Sequence, residues 1–309
     1  MPLTRRHFLL TSTCALAGHA FGETPAEPII DIHQHTGYHA RTNEDLLLHQ
    51  RTMGVTQTIL LPAGTPMMTP STHQGKSNGL AAKAMGNDSV RAFAAEHPGE
   101  FLFGANEVTD AEHARAEIEA GLKLGAKVIG EQKFGIQCDS AESQVLYGLA
   151  QEYNVPVLLH FQHLMYNLGY ERFYTMLEKF PKVNFVGHAQ TVWGNIDKNN
   201  TDQAQLYPKG PVTPGGLTDV MLTKYPNFYA DMSAGSGLNA LTRDEEHTRA
   251  FLERHQEKLL FGSDCADAEG QGEKCTGAMI IAAIRKLAPS KAVERKLLYE
   301  NAKRLFRLG

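Results

Sequence analysis

Short apolar runs alternate with helical stretches eight times along this chain. That alternation restricts the fold more than any single motif does. The runs are 29–33, 55–61, 101–105, 126–131, 155–160, 183–188, 227–231 and 259–264. Helical stretches follow them at 43–53, 80–97, 111–124, from Ser140 to about Asn154, 170–180, 216–224 and 238–255. Two more, 276–287 and 291–308, close the chain. Caps and breakers mark many of the ends: Asn43, Asp110 and Ser140 at starts, Pro98-Gly99, Pro181 and Pro226 at stops. No hairpin signal interrupts the pattern. Strands alternating with helices pair in parallel through right-handed crossovers. Eight of them close into an α/β fold, the (β/α)8 TIM barrel, which typically takes about 250 residues. One such domain, 21–309, accommodates the chain after its first residues.

In a barrel of this kind, chemistry is done at the C-terminal ends of the strands. His33, His35, Glu131, His160, His188, Asp231 and Asp264 all fall at or just past such ends. The run Asp31-Ile32-His33-Gln34-His35 is the most pointed of these. Side chains two apart on a strand share a face, so His33 and His35 are expected to project together. Two neutral imidazoles held that way suit a divalent transition metal, zinc above all. Two long polar loops, 63–78 and 190–215, are expected to cover the rim and to select a small-molecule substrate. His163 is placed where it could face the pocket, and His39, His49 and His73 are read as surface residues.

The first 20 residues stand apart. Arg5-Arg6 precede an apolar segment that ends at Gly18-His19-Ala20, a small-x-small cleavage pattern. This stretch resembles a bacterial twin-arginine (Tat) signal peptide, which implies contact with the Tat export machinery and a periplasmic or secreted mature protein. Its removal takes away two arginines and no acid, moving the formal charge from −4 to −6. Of the four cysteines, Cys138, Cys265 and Cys275 remain. Cys265 and Cys275 follow the same strand and are the better-placed pair. Free thiols fit at least as well, because the Tat route carries proteins already folded. Charge is nearly balanced with no basic run, which gives nucleic-acid binding no support. No apolar run reaches the roughly 20 residues of a membrane span, and Cys14 lacks the leucine of a lipoprotein anchor.

Five pieces of the sequence together resemble the amidohydrolase superfamily, and within it the amidohydrolase-related metal-dependent barrel hydrolases. They are DIHQH at 31–35, PVLLH at 156–160, NFVGH at 184–188, LLFGSDC at 259–265 and YENAKRLF at 299–306. The resemblance implies one or two divalent ions, with His33, His35 and His160 as ligands. It implies that His188 binds a second ion or orients the substrate. It implies that Asp264 binds the metal and shuttles the proton of the attacking water. Many members carry a carbamylated lysine on the fourth strand; here that run is Gly130-Glu131-Gln132-Lys133. Glu131 is read as the replacing carboxylate and metal ligand, with Lys133, of the same parity, as the competing candidate. Asp231 is read as a support behind the ligands, or as part of a plain turn. The expected activity is hydrolysis of an ester, lactone, amide or related bond. The alternative is non-oxidative decarboxylation or hydration of a small aromatic or unsaturated acid, which an arginine near the rim would favour; Arg243 is the one in range. Barrels of this group often pair, which leaves a homodimer open.

Overall fold

The computed structural model describes residues 27–64, 75–78 and 83–309. The export signal, His73, most of the 63–78 loop and the first turn expected at Leu80 lie outside the described residues.

Eight parallel strands close into a barrel. Ile30–Gln34, Gln57–Leu60 and Phe101–Phe103 pair in that order. Ile129–Gln132, Val157–His160, Phe185–His188, Phe228–Asp231 and Leu259–Leu260 form the rest. Backbone bonds join the two halves: Lys127 N donates to Phe103 O at 2.8 Å, and Ala105 N to Val128 O at 2.9 Å. At the other seam Ile32 N donates to Phe261 O at 3.2 Å and Asp264 N to His33 O at 2.9 Å. Asp31 reinforces that seam by accepting from Ser263 N at 2.9 Å, while its other oxygen takes Gln50 Nε2 from the first helix at 2.9 Å. The last strand is therefore tied to the first where both will carry site residues.

The barrel is filled by Ile30, Ile32, Ile59, Leu61, Val128, Leu158, Val186 and Leu260. Ala302, Leu305 and Phe306 of the C-terminal helix, with Leu308 just past it, join the same cluster and seal the end away from the site. Outside the strands a larger aromatic and aliphatic layer packs under the helices. Phe185 sits in it, fully buried, edge-on to Tyr147 and Phe173 at centroid distances of 5.0 and 5.3 Å.

Two strands break strict alternation. Between Asp31 and Gln34 the first strand spends three steps against two on its neighbour, and the fourth does the same between Ile129 and Gln132. Such one-residue bulges re-aim the side chains that follow. Ile30 and Ile32 thus belong to the barrel interior, yet His33 and His35 still turn to the rim.

The helices follow the expected order with local corrections. Thr42, not Asn43, caps Asn43–Thr52 by accepting from Asp45 N at 3.1 Å. The third helix begins at Ala114, after a turn through Asp110. The stretch expected as one helix over 238–255 is two, Ala234–Thr242 and Glu245–Arg254. Asp244 divides them: its carboxylate accepts from His247 N at 3.1 Å and Val212 N at 2.8 Å, and its backbone is extended. The 190–215 segment opens with a short helix, Gln190–Gly194. None of the described helices is long and apolar enough to cross a membrane.

Truncating Phe185 to alanine should lower unfolding free energy by about 3–5 kcal/mol, as for other buried aromatic deletions. Leu48→Ala, at a side chain 59% exposed, should change it by less than about 0.5 kcal/mol. Denaturant titration of the two variants checks the contrast, and equal effects would mean the outer layer is misplaced.

Candidate active site

The rim gathers side chains from four strands. His33 sits in the first-strand bulge and His35 just past it, Glu131 sits in the fourth-strand bulge, His188 ends the sixth strand and Asp264 follows the eighth. Gly262 makes room for this convergence, since a Cβ there would lie 2.7 Å from Asp231 Oδ1 and 2.8 Å from His33 Cβ. Asp264 has φ of 41°, a left-handed backbone that ordinary residues adopt only under constraint.

Four atoms meet here with no hydrogen-bond partner: His33 Nε2, His35 Nε2, Glu131 Oε2 and Asp264 Oδ1. All four are buried. His33 Nε2 is 3.4 Å from Glu131 Oε2 and 3.8 Å from Asp264 Oδ1. His35 Nε2 is 3.5 Å from each of the same two oxygens. A tetrahedral ion with bonds of about 2.1 Å needs ligand separations of about 3.4 Å. Buried polar atoms without partners are rare, because each forfeits its hydration. The gap between these four is the size of a divalent ion.

The remaining ring nitrogens explain why the inner ones are free. His33 Nδ1–H donates to Asp231 Oδ2 at 2.7 Å. His35 Nδ1–H donates to Leu61 O at 2.7 Å. His188 Nδ1 faces Ser233 Oγ at 3.0 Å and Asp231 Oδ2 at 3.3 Å. These partners assign the proton to Nδ1 in each ring and leave the Nε2 lone pair aimed inward. His188 Nε2 stands 3.5 Å from Asp264 Oδ2 and 3.7 Å from Glu131 Oε1. Asp231 thus supports two imidazoles at once. The small residues after it are a turn into the helix that starts at Ala234, and a Cβ at Gly237 would lie 2.0 Å from Met232 O.

His160, expected as a direct ligand, is bound differently in this arrangement. Its Nδ1 lies 2.6 Å from Glu131 Oε1 and its Nε2 3.2 Å from Gln162 Oε1. His160 and His188 are direct neighbours in strand register. Lys133 stands outside the cluster, half-buried, its ammonium 5.8 Å from the Tyr166 ring centre. Of the two fourth-strand candidates, Glu131 is the one at the centre. Arg243 is remote from these residues in its contacts, with Nη2 3.8 Å from Asp197.

The electrostatics follow from three carboxylates sharing one buried volume. Burial would raise Glu131, but Lys133, His33 and the His160 hydrogen bond hold it well below the usual carboxylate range. Burial would also raise Asp264, and His33, His188 and His35 outweigh it. Burial would lower His33, yet Asp264, Glu131 and Asp231 together push it well above an ordinary histidine. The cluster therefore favours positive charge, and it draws the pKa values of both His33 and His188 upward. His160, by contrast, is pushed down to about 4 by burial and by the Lys133 cation.

Sequence reasoning missed two participants. Tyr38, its ring tilted against His35 at 4.8 Å between centres, has its phenol pKa raised by the neighbouring Asp264 carboxylate, by burial and by Glu131. Ser233 touches Asp231, His188 and His33. Neither carries a periodic or spacing signal. A cavity of about 480 Å³ opens beside His160; Gln162, His163, Tyr166 and Thr191 line it.

A family model described as amidohydrolase matches residues 30–308. The chain belongs to the amidohydrolase family. No curated protein matches the chain. Among solved structures, this amidohydrolase resembles a 2,6-dihydroxybenzoate decarboxylase from Rhizobium at 16% identity, covering 91% of this chain and 99% of that one, TM-score 0.56. It resembles a probable 2-pyrone-4,6-dicarboxylic acid hydrolase from Acinetobacter baumannii, solved with citric acid, at 15% identity, 90% and 99% coverage, TM-score 0.57. It also resembles a dihydroxybenzoic acid decarboxylase from Polaromonas, solved with manganese and 2-nitroresorcinol, at 16% identity, 91% and 97% coverage, TM-score 0.57. At such identities the likeness establishes the barrel alone.

Asp231→Asn should weaken divalent-ion affinity about 10- to 100-fold, because it removes the charge that orients His33 and His188. Competition with a chromophoric chelator measures this, and unchanged affinity would remove Asp231 from its supporting role.

Proposed function

We propose that this chain is a metal-dependent hydrolase of small molecules, acting on an ester, lactone, amide or related bond. The carrying observation is the set of four buried, partnerless atoms of His33, His35, Glu131 and Asp264 at mutual distances suited to one divalent ion. Nitrogen and carboxylate oxygen donors of this kind suit zinc, and also manganese or iron. His188 and His160 border the same position, so a second ion has ligands within reach. A divalent ion held there supplies Lewis-acid chemistry, acidifying water and polarising the bond under attack.

The chain's own groups do the rest. Asp264 has one oxygen in the quartet and the other facing His188. It accepts the proton of the attacking water and returns it to the leaving group, as base and then acid. His188, braced by Ser233 and Asp231, steadies that carboxylate and offers its ring edge to the substrate. Tyr38 keeps its proton beside Asp264 and His35, which leaves its phenol O–H available to a substrate.

A second reading, decarboxylation of a small aromatic or unsaturated acid, is favoured by Lys133. This half-buried cation has no ion pair among the described residues, and its ammonium lies 5.8 Å from the ring centre of Tyr166, which lines the cavity, so it would be available to a substrate carboxylate. Arg172, which also lines the cavity, is already committed to Asp139 at 2.7 Å.

Asp264→Asn should reduce kcat about 100- to 10,000-fold while circular dichroism and melting stay near wild type. A panel of esters, lactones and hydroxybenzoic acids, run in ¹⁸O-water with carbon dioxide detection, separates the readings. Hydrolysis places ¹⁸O in the acid product; carbon dioxide without ¹⁸O transfer would replace hydrolase by decarboxylase, and near-normal turnover by the asparagine variant would remove Asp264 from both.

A further inference from the structure

A second group of metal-ligating side chains lies behind the rim. His49, read from the sequence as a surface residue, is fully buried on the helix Asn43–Thr52. Its Nε2 points at three atoms: Cys265 Sγ at 3.3 Å, Cys275 Sγ at 3.4 Å and Asp267 Oδ2 at 3.2 Å. The two sulfurs are 3.9 Å apart and unbonded. One imidazole nitrogen carries one proton or one lone pair, so it satisfies one neighbour by hydrogen bonding and not three. A cation placed among the four atoms satisfies all of them.

The separations lie near those of that occupant, the two sulfurs at 3.9 Å and the nitrogen contacts at 3.2, 3.3 and 3.4 Å. Zinc bound at about 2.3 Å to sulfur and about 2.1 Å to nitrogen or oxygen, in a tetrahedron, needs S···S of about 3.8 Å, S···N of about 3.6 Å and N···O of about 3.4 Å. The charges also close. Two thiolates and Asp267 bring three negative charges, a divalent ion brings two positive, and buried Arg41 brings the third. Its guanidinium donates to Cys265 O at 3.0 Å and Asp267 O at 2.9 Å. The surrounding backbone is shaped to let three segments converge. Gly270, at φ 67°, has no room for a Cβ, which would lie 2.3 Å from His49 O. A Cβ at Gly277 would lie 2.7 Å from Met53 Sδ.

We propose that His49, Cys265, Asp267 and Cys275 form a second, closed metal site of the zinc class, structural in role and separate from the rim. Binding releases the two thiol protons to solvent. The ion fastens the first helix to the segment that begins at Asp264 and to the start of the helix Thr276–Leu287. Gln34, between His33 and His35, also donates to Cys265 O at 2.8 Å, so the fastening reaches both sets of rim residues. The same four side chains would hold the ion whatever reaction the rim performs.

The test uses the full-length protein reconstituted with cobalt(II). A thiolate-to-cobalt charge-transfer band is expected in the wild type and in His33→Ala/His35→Ala, which retains one equivalent of metal by elemental analysis. Cys275→Ser in that background should lose both the band and the equivalent. Absence of the band in the wild type would overturn the site, as would a Cys265–Cys275 disulfide in peptide maps of freshly purified protein. An unchanged metal count in Cys275→Ser would do so too. Should the serine variant fail to fold, the wild-type band and the peptide map decide. Loss of rim activity alone has no bearing on these readouts.

Discussion

Glu131, Asp231 and Asp264 are carboxylates enclosed in one buried volume, and their mutual repulsion must be answered from within. Burial weakens screening, so each charge costs several kcal/mol unless compensated. Three histidines surround them, each held by an outer partner that fixes its proton on the far nitrogen. The result is a set of lone pairs aimed at one point. The barrel's closure between first and eighth strands, the bulges on the first and fourth, and the space left at Gly262 all serve that convergence.

Where alternation is regular, the sequence was enough to place the side chains. Leu158 and His160, and Val186 and His188, are inward pairs two apart, and both histidines reach the rim as spacing predicts. On the first and fourth strands the same arithmetic misleads. Ile30 and Ile32 point inward, so strict alternation would carry Gln34 to the rim and His33 away from it. Parity likewise could not separate Glu131 from Lys133, because the bulge lies between Ile129 and Gln132. A bulge is decided by contacts with neighbouring strands, which no local pattern encodes. Asp244 divided a helix by the same kind of nonlocal bond, to Val212.

The cluster around His49 was the least legible part. Its helix has mixed faces, and its partners come from more than 200 residues later in the chain. Each residue alone reads as ordinary: a helix histidine, two cysteines, a turn aspartate. Their meaning arises when the eighth strand closes against the first and brings the two segments together. Both clusters therefore depend on one seam of the barrel, and Asp264 and Cys265 are consecutive residues facing one into each.

The central claim is that the four partnerless rim atoms grip a divalent cation. Anomalous diffraction from crystals of the purified protein, recorded on both sides of the metal absorption edge, addresses it directly. A peak is expected about 2.0–2.3 Å from His33 Nε2, His35 Nε2, Glu131 Oε2 and Asp264 Oδ1. No peak there in catalytically active crystals, with those side chains hydrogen-bonded to one another, would contradict it.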